Sequence, residues 1–148
     1  MLREALSAVA LAASMSTAAS AQSVQQTLGD FGLLGTWATD CSRQAASDNY
    51  YTVYGSSSGR VLRTYYDGPG KVYNEYVITQ AGRLANGRLR YVQEGTDSRR
   101  LRLEVVVTMD GGRLLVWSSR YVDGEFLVKD GKYTDDGTRV VGQDKCRN

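Results

Sequence analysis

The chain has 148 residues, with 18 Lys or Arg against 16 Asp or Glu, and the resulting formal net charge of +2 gives no support to a nucleic-acid binder. Histidine is absent, which removes the commonest general base and the commonest transition-metal ligand and makes Ser-His and Cys-His nucleophile pairs impossible. We therefore expect a protein that is not an enzyme and that holds no metal ion or cofactor.

The first 21 residues, MLREALSAVALAASMSTAASA, have the three parts of a secretory signal peptide. Arg3 supplies a charged start, and residues 6–15 form an apolar run that is too short to span a bilayer. Ala19-Ser20-Ala21 gives the small-x-small pattern that signal peptidase accepts, so we expect cleavage before Gln22. The prediction is a periplasmic or secreted protein without a transmembrane segment in its mature chain, whose remaining residues, about 127, suffice for one domain.

Cys41 and Cys146 are the two cysteines, and they lie near opposite ends of the mature chain. In an oxidising compartment an even number of cysteines favours a disulfide. Closing so long a loop stabilises the fold by about 4 to 5 kcal/mol in the chain-entropy model. We therefore expect a Cys41–Cys146 disulfide.

After a polar lead-in at 22–32, which has the pattern of a helical turn, glycine-containing turns recur at short intervals through the remaining domain, 33–148. The segments between the turns are rich in Tyr, Val, Thr, Leu and Trp, which favour strands. The predicted strands are 33–39, 50–54, 60–66, 71–80, 87–94, 100–109, 113–122 and 125–130.

Consecutive strands joined by tight turns are antiparallel neighbours, so the sequence predicts an all-β, eight-stranded, antiparallel up-and-down barrel that closes on itself. The alternative is a two-sheet sandwich, which usually requires longer crossovers. To bring Cys146 back to Cys41, the tail must return along the barrel. The run TRVVGQ at 138–143 is the candidate for this short ninth strand.

Gly35 and Trp37, in the stretch LLGTWATDC, form a Gly-x-Trp motif on the first predicted strand. This motif and the strand pattern resemble the lipocalin-like (calycin-type) small secreted barrels. The resemblance implies that Trp37 packs across one end of the barrel beneath an arginine, for which Arg120 and Arg139 are the candidates. The cysteine placement also resembles, more loosely, that of small secreted bacterial inhibitors of proteases and lysozymes.

Charged residues identify the outward-facing positions of the strands, because successive side chains alternate across a sheet. We place Arg63, Glu75, Arg90 and Arg120 outside on this basis. The assignment turns these aromatic side chains inward: Tyr66, Tyr76, Tyr91, Trp117 and Tyr121.

Our first functional hypothesis is a non-enzymatic protein that binds a small apolar or aromatic ligand through those five aromatic residues, with the polar loop 42–49 as a gate. The alternative is a protein-binding module, such as a hydrolase inhibitor, that acts through its loops or through residues 22–32. A cavity of roughly 300 Å³ or more would favour the small ligand. A filled barrel with an exposed apolar patch would favour a protein partner.

Overall fold

The computed structural model describes residues 23–147, which form one α-helix and a ten-stranded antiparallel sheet. The predicted signal peptide, residues 1–21, lies outside the described residues. Helix α1 covers Val24–Phe31. The strands are β1 Gly35–Ala38, β2 Tyr51–Ser57, β3 Arg60–Gly68, β4 Lys71–Arg83, β5 Leu89–Gly95, β6 Arg102–Asp110, β7 Arg113–Tyr121, β8 Phe126–Lys129, β9 Lys132–Tyr133 and β10 Asp144–Arg147.

The strands follow one another in the order β10-β1-β2-β3-β4-β5-β6-β7-β8-β9, so the predicted all-β, antiparallel up-and-down arrangement is confirmed. The predicted closed barrel of eight strands is wrong in two respects. The sheet has ten strands, and its edge strands, β10 and β9, do not pair with each other.

The path of the chain after β7 explains why the sheet stays open. β7 pairs with β8 near Ser119, whereas nearer its start Leu114 exchanges backbone hydrogen bonds of 2.8 and 2.9 Å with Gln143. β8 and β9 then form a short hairpin at the edge, and β1 pairs with β10 instead of with either of them. The predicted ninth strand at 138–143 is therefore wrong, because the returning strand is β10.

Cys41 and Cys146 form the predicted disulfide, with their Cα atoms 5.3 Å apart. Cys41 follows β1, and Cys146 belongs to β10, the antiparallel partner of β1. The bond therefore joins the beginning of the sheet to the tail of the chain. Within residues 23–147, no helix has the length and apolar character needed to cross a membrane.

Helix α1 extends the predicted helical turn into an eight-residue helix that belongs to the core. Ser23 caps its start by accepting a hydrogen bond of 3.1 Å from the backbone N–H of Gln26. Gly32 ends it with a φ of 83°, in the left-handed region that favours glycine. Leu28 is fully buried, and the Arg83 guanidinium of β4 lies 4.8 Å from the centroid of the Phe31 ring.

The connections between the strands lie at two opposite ends of the sheet. The turns at 55–59, 81–87 and 110–112 share the end near α1, which we call the helix end. The connections at 40–49, 67–70, 95–99 and 123–124 share the opposite end, which we call the loop end.

Trp37 belongs to the same core as α1. It is 2 % exposed, and its indole Nε1 donates a hydrogen bond of 2.8 Å to the carbonyl oxygen of Leu33. The cation nearest its ring is not Arg120 or Arg139, the candidates named above, but Lys145, whose Nζ lies 5.4 Å from the ring centroid. We call the face of the sheet that carries this core the inner face; its buried apolar residues on the strands are Tyr54, Val61, Ile78, Leu89, Tyr91, Leu103, Val105, Val107 and Leu114.

Candidate functional site

The predicted ligand-binding residues are divided between the two faces of the sheet. Tyr91 is fully buried on the inner face, and Tyr76 and Tyr121 pack half-buried against the same core. Tyr66 was expected inside but lies on the outer face, where it lines a groove. Trp117 also lies on the outer face, so the structure does not bring the five residues together.

A β-bulge reverses the phase of β7 and turns Trp117 outward. The register of the β6–β7 ladder shifts between residues 106 and 107, which leaves Trp117 as the extra residue of β7. On the near side of the bulge, Leu114 and Val116 face the core in place of their neighbours. The Arg88 guanidinium covers the Trp117 ring, 3.7 Å from its centroid.

The predicted face of Arg63 is also wrong, in the opposite direction. Arg63 was expected to face outward, but it lies on the inner face and is 6 % exposed. The β2–β3 hairpin places it directly opposite Tyr54, which is 2 % exposed. The sequence did contain this signal, because the tight turn GSSSG pairs Ser57 with Arg60 and therefore Tyr54 with Arg63. The prediction followed the rule that charged side chains face outward and did not use the register of the hairpin.

Arg63 is the centre of a polar group that we call the interior cluster, formed by Tyr54, Arg63, Tyr65, Tyr91 and Gln93. Its Nη1 donates a hydrogen bond of 3.1 Å to Oε1 of Gln93. The guanidinium carbon lies 4.6 Å from the Tyr65 ring centroid, 5.5 Å from that of Tyr54 and 5.9 Å from that of Tyr91. The hydroxyls of Tyr54 and Tyr91 are hydrogen-bonded to each other at 3.0 Å.

Burial keeps Tyr65 and Tyr91 of the interior cluster neutral. It raises the pKa of Tyr65 and of Tyr91 above the ordinary value of a tyrosine, because the phenolate would lose its hydration. Tyr54 and Tyr91 are among the largest fully buried side chains of the inner face.

A concavity lies on the outer face, next to the disulfide. We call it the disulfide groove, and its volume is about 800 Å³. Its floor is the outer face of β2 and β3, where Tyr51 pairs with Tyr66 in the ladder. The walls and floor are formed by Thr36, residues 41–45, Tyr51, Val53, Tyr66, residues 68–70 and Arg147.

The long loop at 40–50 forms one wall of the disulfide groove, and side-chain hydrogen bonds hold it in place. Asn49, 1 % exposed, accepts a hydrogen bond from the backbone N–H of Asp40 and donates one to its carbonyl oxygen, both at 3.0 Å. The hydroxyl of Tyr51 donates to the carbonyl oxygen of Arg43 at 2.5 Å. The disulfide of Cys41 adds a covalent anchor, so the structure shows a fixed wall; its role as a gate stays a prediction.

Two arginines, Arg43 and Arg147, line the disulfide groove, and they differ in whether they form an ion pair. Arg43 forms a bidentate ion pair with Asp48, at 2.8 and 3.0 Å. Arg147 is exposed, and within the described part of the chain its guanidinium makes neither a hydrogen bond nor an ion pair. Arg147 is therefore the cation available to a ligand in the groove.

A second, smaller groove of about 590 Å³ lies at the loop end, between the start of β4 and the β5–β6 connection. Val72 and Tyr73, which line it, are 51 % and 63 % exposed. On its other side, Arg99 pairs with Asp97 at 2.9 Å. Residues 23–147 contain no group of three or more His, Cys, Asp or Glu side chains placed to hold a metal ion.

Comparison of the chain with protein families, with characterised proteins and with solved structures finds no match. The resemblance of the Gly35-x-Trp37 motif to the lipocalin-like barrels therefore stays a prediction, and the functional argument rests on the geometry of this chain.

Proposed function

We propose that the protein is a non-enzymatic binding protein that takes a small, partly aromatic molecule in the disulfide groove. The observation that carries this proposal is that Tyr51, Tyr66 and Arg147, whose guanidinium has no ion pair within residues 23–147, line one concavity of about 800 Å³. That volume lies in the usual range for small-molecule sites, roughly 300 to 1,000 Å³.

The chemistry of the lining indicates the kind of ligand. The tyrosine rings offer apolar surface and edge or face contacts to an aromatic group. Arg147 would form paired hydrogen bonds with a carboxylate or phosphate on the same molecule. Because the wall at 40–50 is already held in place, little ordering of the loop opposes binding.

The disulfide supports the location that we propose, the periplasm or the outside of the cell. Disulfides persist in oxidising compartments and are rare where thiols are kept reduced. In this chain the disulfide also shapes the site, because Cys41 and Arg147 line the same groove and Cys146 adjoins Arg147.

Native mass spectrometry of protein purified from its own host tests the proposal. We expect a small organic acid to co-purify with the wild-type protein. It should be lost from Tyr66→Ala, which removes an aromatic ring from the floor of the groove, and from Arg147→Gln, which removes the positive charge of the guanidinium. Arg60→Gln is the matched control, since it removes an exposed arginine at the helix end, and it should retain the molecule.

The result can be checked without the natural ligand by screening aromatic carboxylates against the isotope-labelled protein by NMR. Shift changes confined to residues 41–45, 51–53, 66–70 and 147 would support the groove as the site. Changes on other surfaces, or binding that Tyr66→Ala and Arg147→Gln leave intact, would refute it.

A second candidate function is binding of a protein partner, and exposed apolar side chains at the loop end favour it. Val72 and Tyr73 are 51 % and 63 % exposed, and Leu101 and Val122 are 36 % and 37 % exposed. A stoichiometric protein partner that Val72→Ser and Tyr73→Ser lose, but Tyr66→Ala retains, would favour this function, for example as a hydrolase inhibitor.

A further inference from the structure

Arg63 carries a positive charge into the core without a negative partner. Its side chain is 6 % exposed, and none of the ion pairs among residues 23–147 includes it. Its Nη1 reaches Oε1 of Gln93, but its Nε is buried without a hydrogen-bond partner in the described chain. Burying a guanidinium is costly unless a counter-charge compensates for the lost hydration, so this arrangement requires an explanation.

The groups around Arg63 add further donors rather than acceptors. Tyr54 and Tyr91 share one hydrogen bond, so one of their two hydroxyl protons has no acceptor within residues 23–147. The hydroxyl of Tyr65 and the amide Nε2 of Gln93 also make no hydrogen bond to the described part of the protein. Within the interior cluster, Nε of Arg63 is the buried donor that lacks an acceptor in residues 23–147.

The carboxylates near Arg63 in the sequence and in the ladder pair with other residues. Asp67, on the same strand, pairs through Oδ2 with Lys71 at 3.1 Å, although its Oδ1 is buried without a hydrogen-bond partner in the described chain. Glu75 lies on the outer face, where its Oε2 accepts a hydrogen bond of 3.2 Å from Oγ1 of Thr64. Asp97, at the loop end, is paired with Arg99. Tyr65 and Tyr91, kept neutral by burial, supply no charge, and no carboxylate of residues 23–147 forms an ion pair with Arg63.

We propose that a compact monovalent anion, a halide ion or a short carboxylate, binds beside Arg63 on the inner face. Nε of Arg63 and the hydroxyl of Tyr65 are the donors that would hold it. We choose a compact anion because Tyr54 and Tyr91, whose ring centroids lie 5.5 and 5.9 Å from the guanidinium carbon, are almost fully buried. The site is separate from the disulfide groove, which lies on the opposite face of the same strands, and does not depend on the proposed function.

Bromide is a direct probe of this site because its anomalous scattering locates it in a crystal. Crystals of the full folded chain, soaked in sodium bromide, should show an anomalous peak in contact with the Arg63 guanidinium. Bromide found at surface arginines alone would mean an adventitious ion only, and it would overturn the proposal.

Thermal unfolding gives the second test, with sodium chloride or sodium acetate exchanged for sodium gluconate at constant ionic strength. An anion that binds only the folded state raises Tm, and we expect a saturable rise of about 5 °C in chloride or acetate over gluconate, which is too large to enter. A larger rise in Tm in chloride than in acetate would indicate a halide site, and a larger rise in acetate would indicate a carboxylate site. Equal Tm values in all three salts would overturn the proposal.

Variants assign the effect to Arg63. Arg63→Met removes the charge at similar length and should abolish the dependence on the anion, whereas Arg60→Met, at an exposed position, should retain it. If Arg63→Met does not fold, Tyr65→Phe keeps the charge and removes one donor, and it should weaken the anion's affinity about tenfold. An unchanged anion dependence in either folded variant would contradict the assignment.

Discussion

At the scale of single residues, the buried tyrosines set an upper pH limit for the folded protein. A tyrosine in the unfolded chain has a pKa of about 10, and burial raises the pKa of Tyr65 and Tyr91 above that value. Their contribution to stability is therefore complete below the unfolded pKa and is lost as the pH rises towards the folded pKa. We expect unfolding above about pH 10, with the last tyrosinate absorbance appearing together with the loss of the β-sheet circular dichroism signal.

Tyr91→Phe provides the variant for this prediction. At neutral pH it should lower the free energy of unfolding by about 1 kcal/mol, since it removes the hydrogen bond to Tyr54. At alkaline pH it should reduce the loss of stability per pH unit, because one fewer buried hydroxyl ionises on unfolding. Tyr73→Phe, at a position 63 % exposed, is the control without either effect. Smooth ionisation of all ten tyrosines in an intact sheet would contradict the prediction.

Glu104 makes a residue-scale prediction at the acid end of the pH range. Its carboxylate binds Arg90 and, at 3.2 Å, Arg120 on neighbouring strands. The hydrogen bond from Arg90 lowers the pKa of Glu104, so the stability it contributes is present above the unfolded pKa and is lost as the pH falls through the folded pKa. Glu104→Gln should cost about 1 to 2 kcal/mol at neutral pH and less in acid.

Denaturant titrations at neutral and acid pH measure this difference. Glu125→Gln, at an exposed position, removes the same charge and serves as the control. An equal loss of stability for Glu104→Gln at both pH values would show that the charge of the carboxylate does not matter.

At the scale of elements, α1 has a larger role than a polar lead-in would have. Leu28 and Leu33 are fully buried against the strands, whereas Gln25 faces solvent. Leu28→Ala should lower the free energy of unfolding by about 2 to 5 kcal/mol, because it leaves a cavity at the helix end. Gln25→Ala should have little effect in the same denaturant titration. If both variants unfold alike, α1 is not part of the cooperative core.

The turns explain why so many strands could be predicted from the sequence. Each predicted strand from 33–39 to 125–130 overlaps one of the strands β1 to β8. Glycine marked the boundaries because the turns require a left-handed backbone, as at Gly59 and Gly112, with φ values of 74° and 82°. A turn-forming glycine is a local feature of the sequence, so it can be recognised without knowing which strand pairs with which.

The faces of the strands were harder to predict because a bulge is not local. The inward assignments of Tyr91 and Tyr121 agree with the structure. The register shift at residues 106–107 changes which residues of β7 face the core before the bulge, so that Trp117 faces outward instead of inward. Arg63 failed for another reason. Its buried environment is built from Tyr65 on the same strand and from Tyr54 and Gln93 on β2 and β5. No pattern within β3 reveals that residues of the other strands surround it.

At the scale of the whole molecule, the sequence predicted a tail that returns to the start of the sheet but not how it returns. The Cys41–Cys146 bond required the return, and β10 provides it by pairing with β1. The hairpin of β8 and β9 occupies the far edge, so the sheet that was expected to close through its eighth strand is held by the tail instead. The Leu114–Gln143 bridge is the backbone link between this tail and β7.

The disulfide therefore has a global role that can be measured. It closes a loop with a sequence separation of 105 residues, so replacing both cysteines by serine should lower the free energy of unfolding by about 4 to 5 kcal/mol in the chain-entropy model. The double substitution leaves no free thiol to confuse the result. Denaturant titration of the double variant and the wild type measures the difference, and the double variant should show no further loss under reducing conditions.

The same variant separates the global role of the disulfide from its local one. Cys41 anchors the wall of the disulfide groove, and Arg147 follows Cys146, so hydrogen exchange should accelerate most in β10, in β1 and in the loop at 40–50. The amides of β5 and β6, which have a partner strand on each side, should stay protected until the protein unfolds globally. Uniform acceleration of hydrogen exchange across the sheet would show instead that the tail and the central strands form a single cooperative unit. The disulfide would then have no separate local effect on the groove.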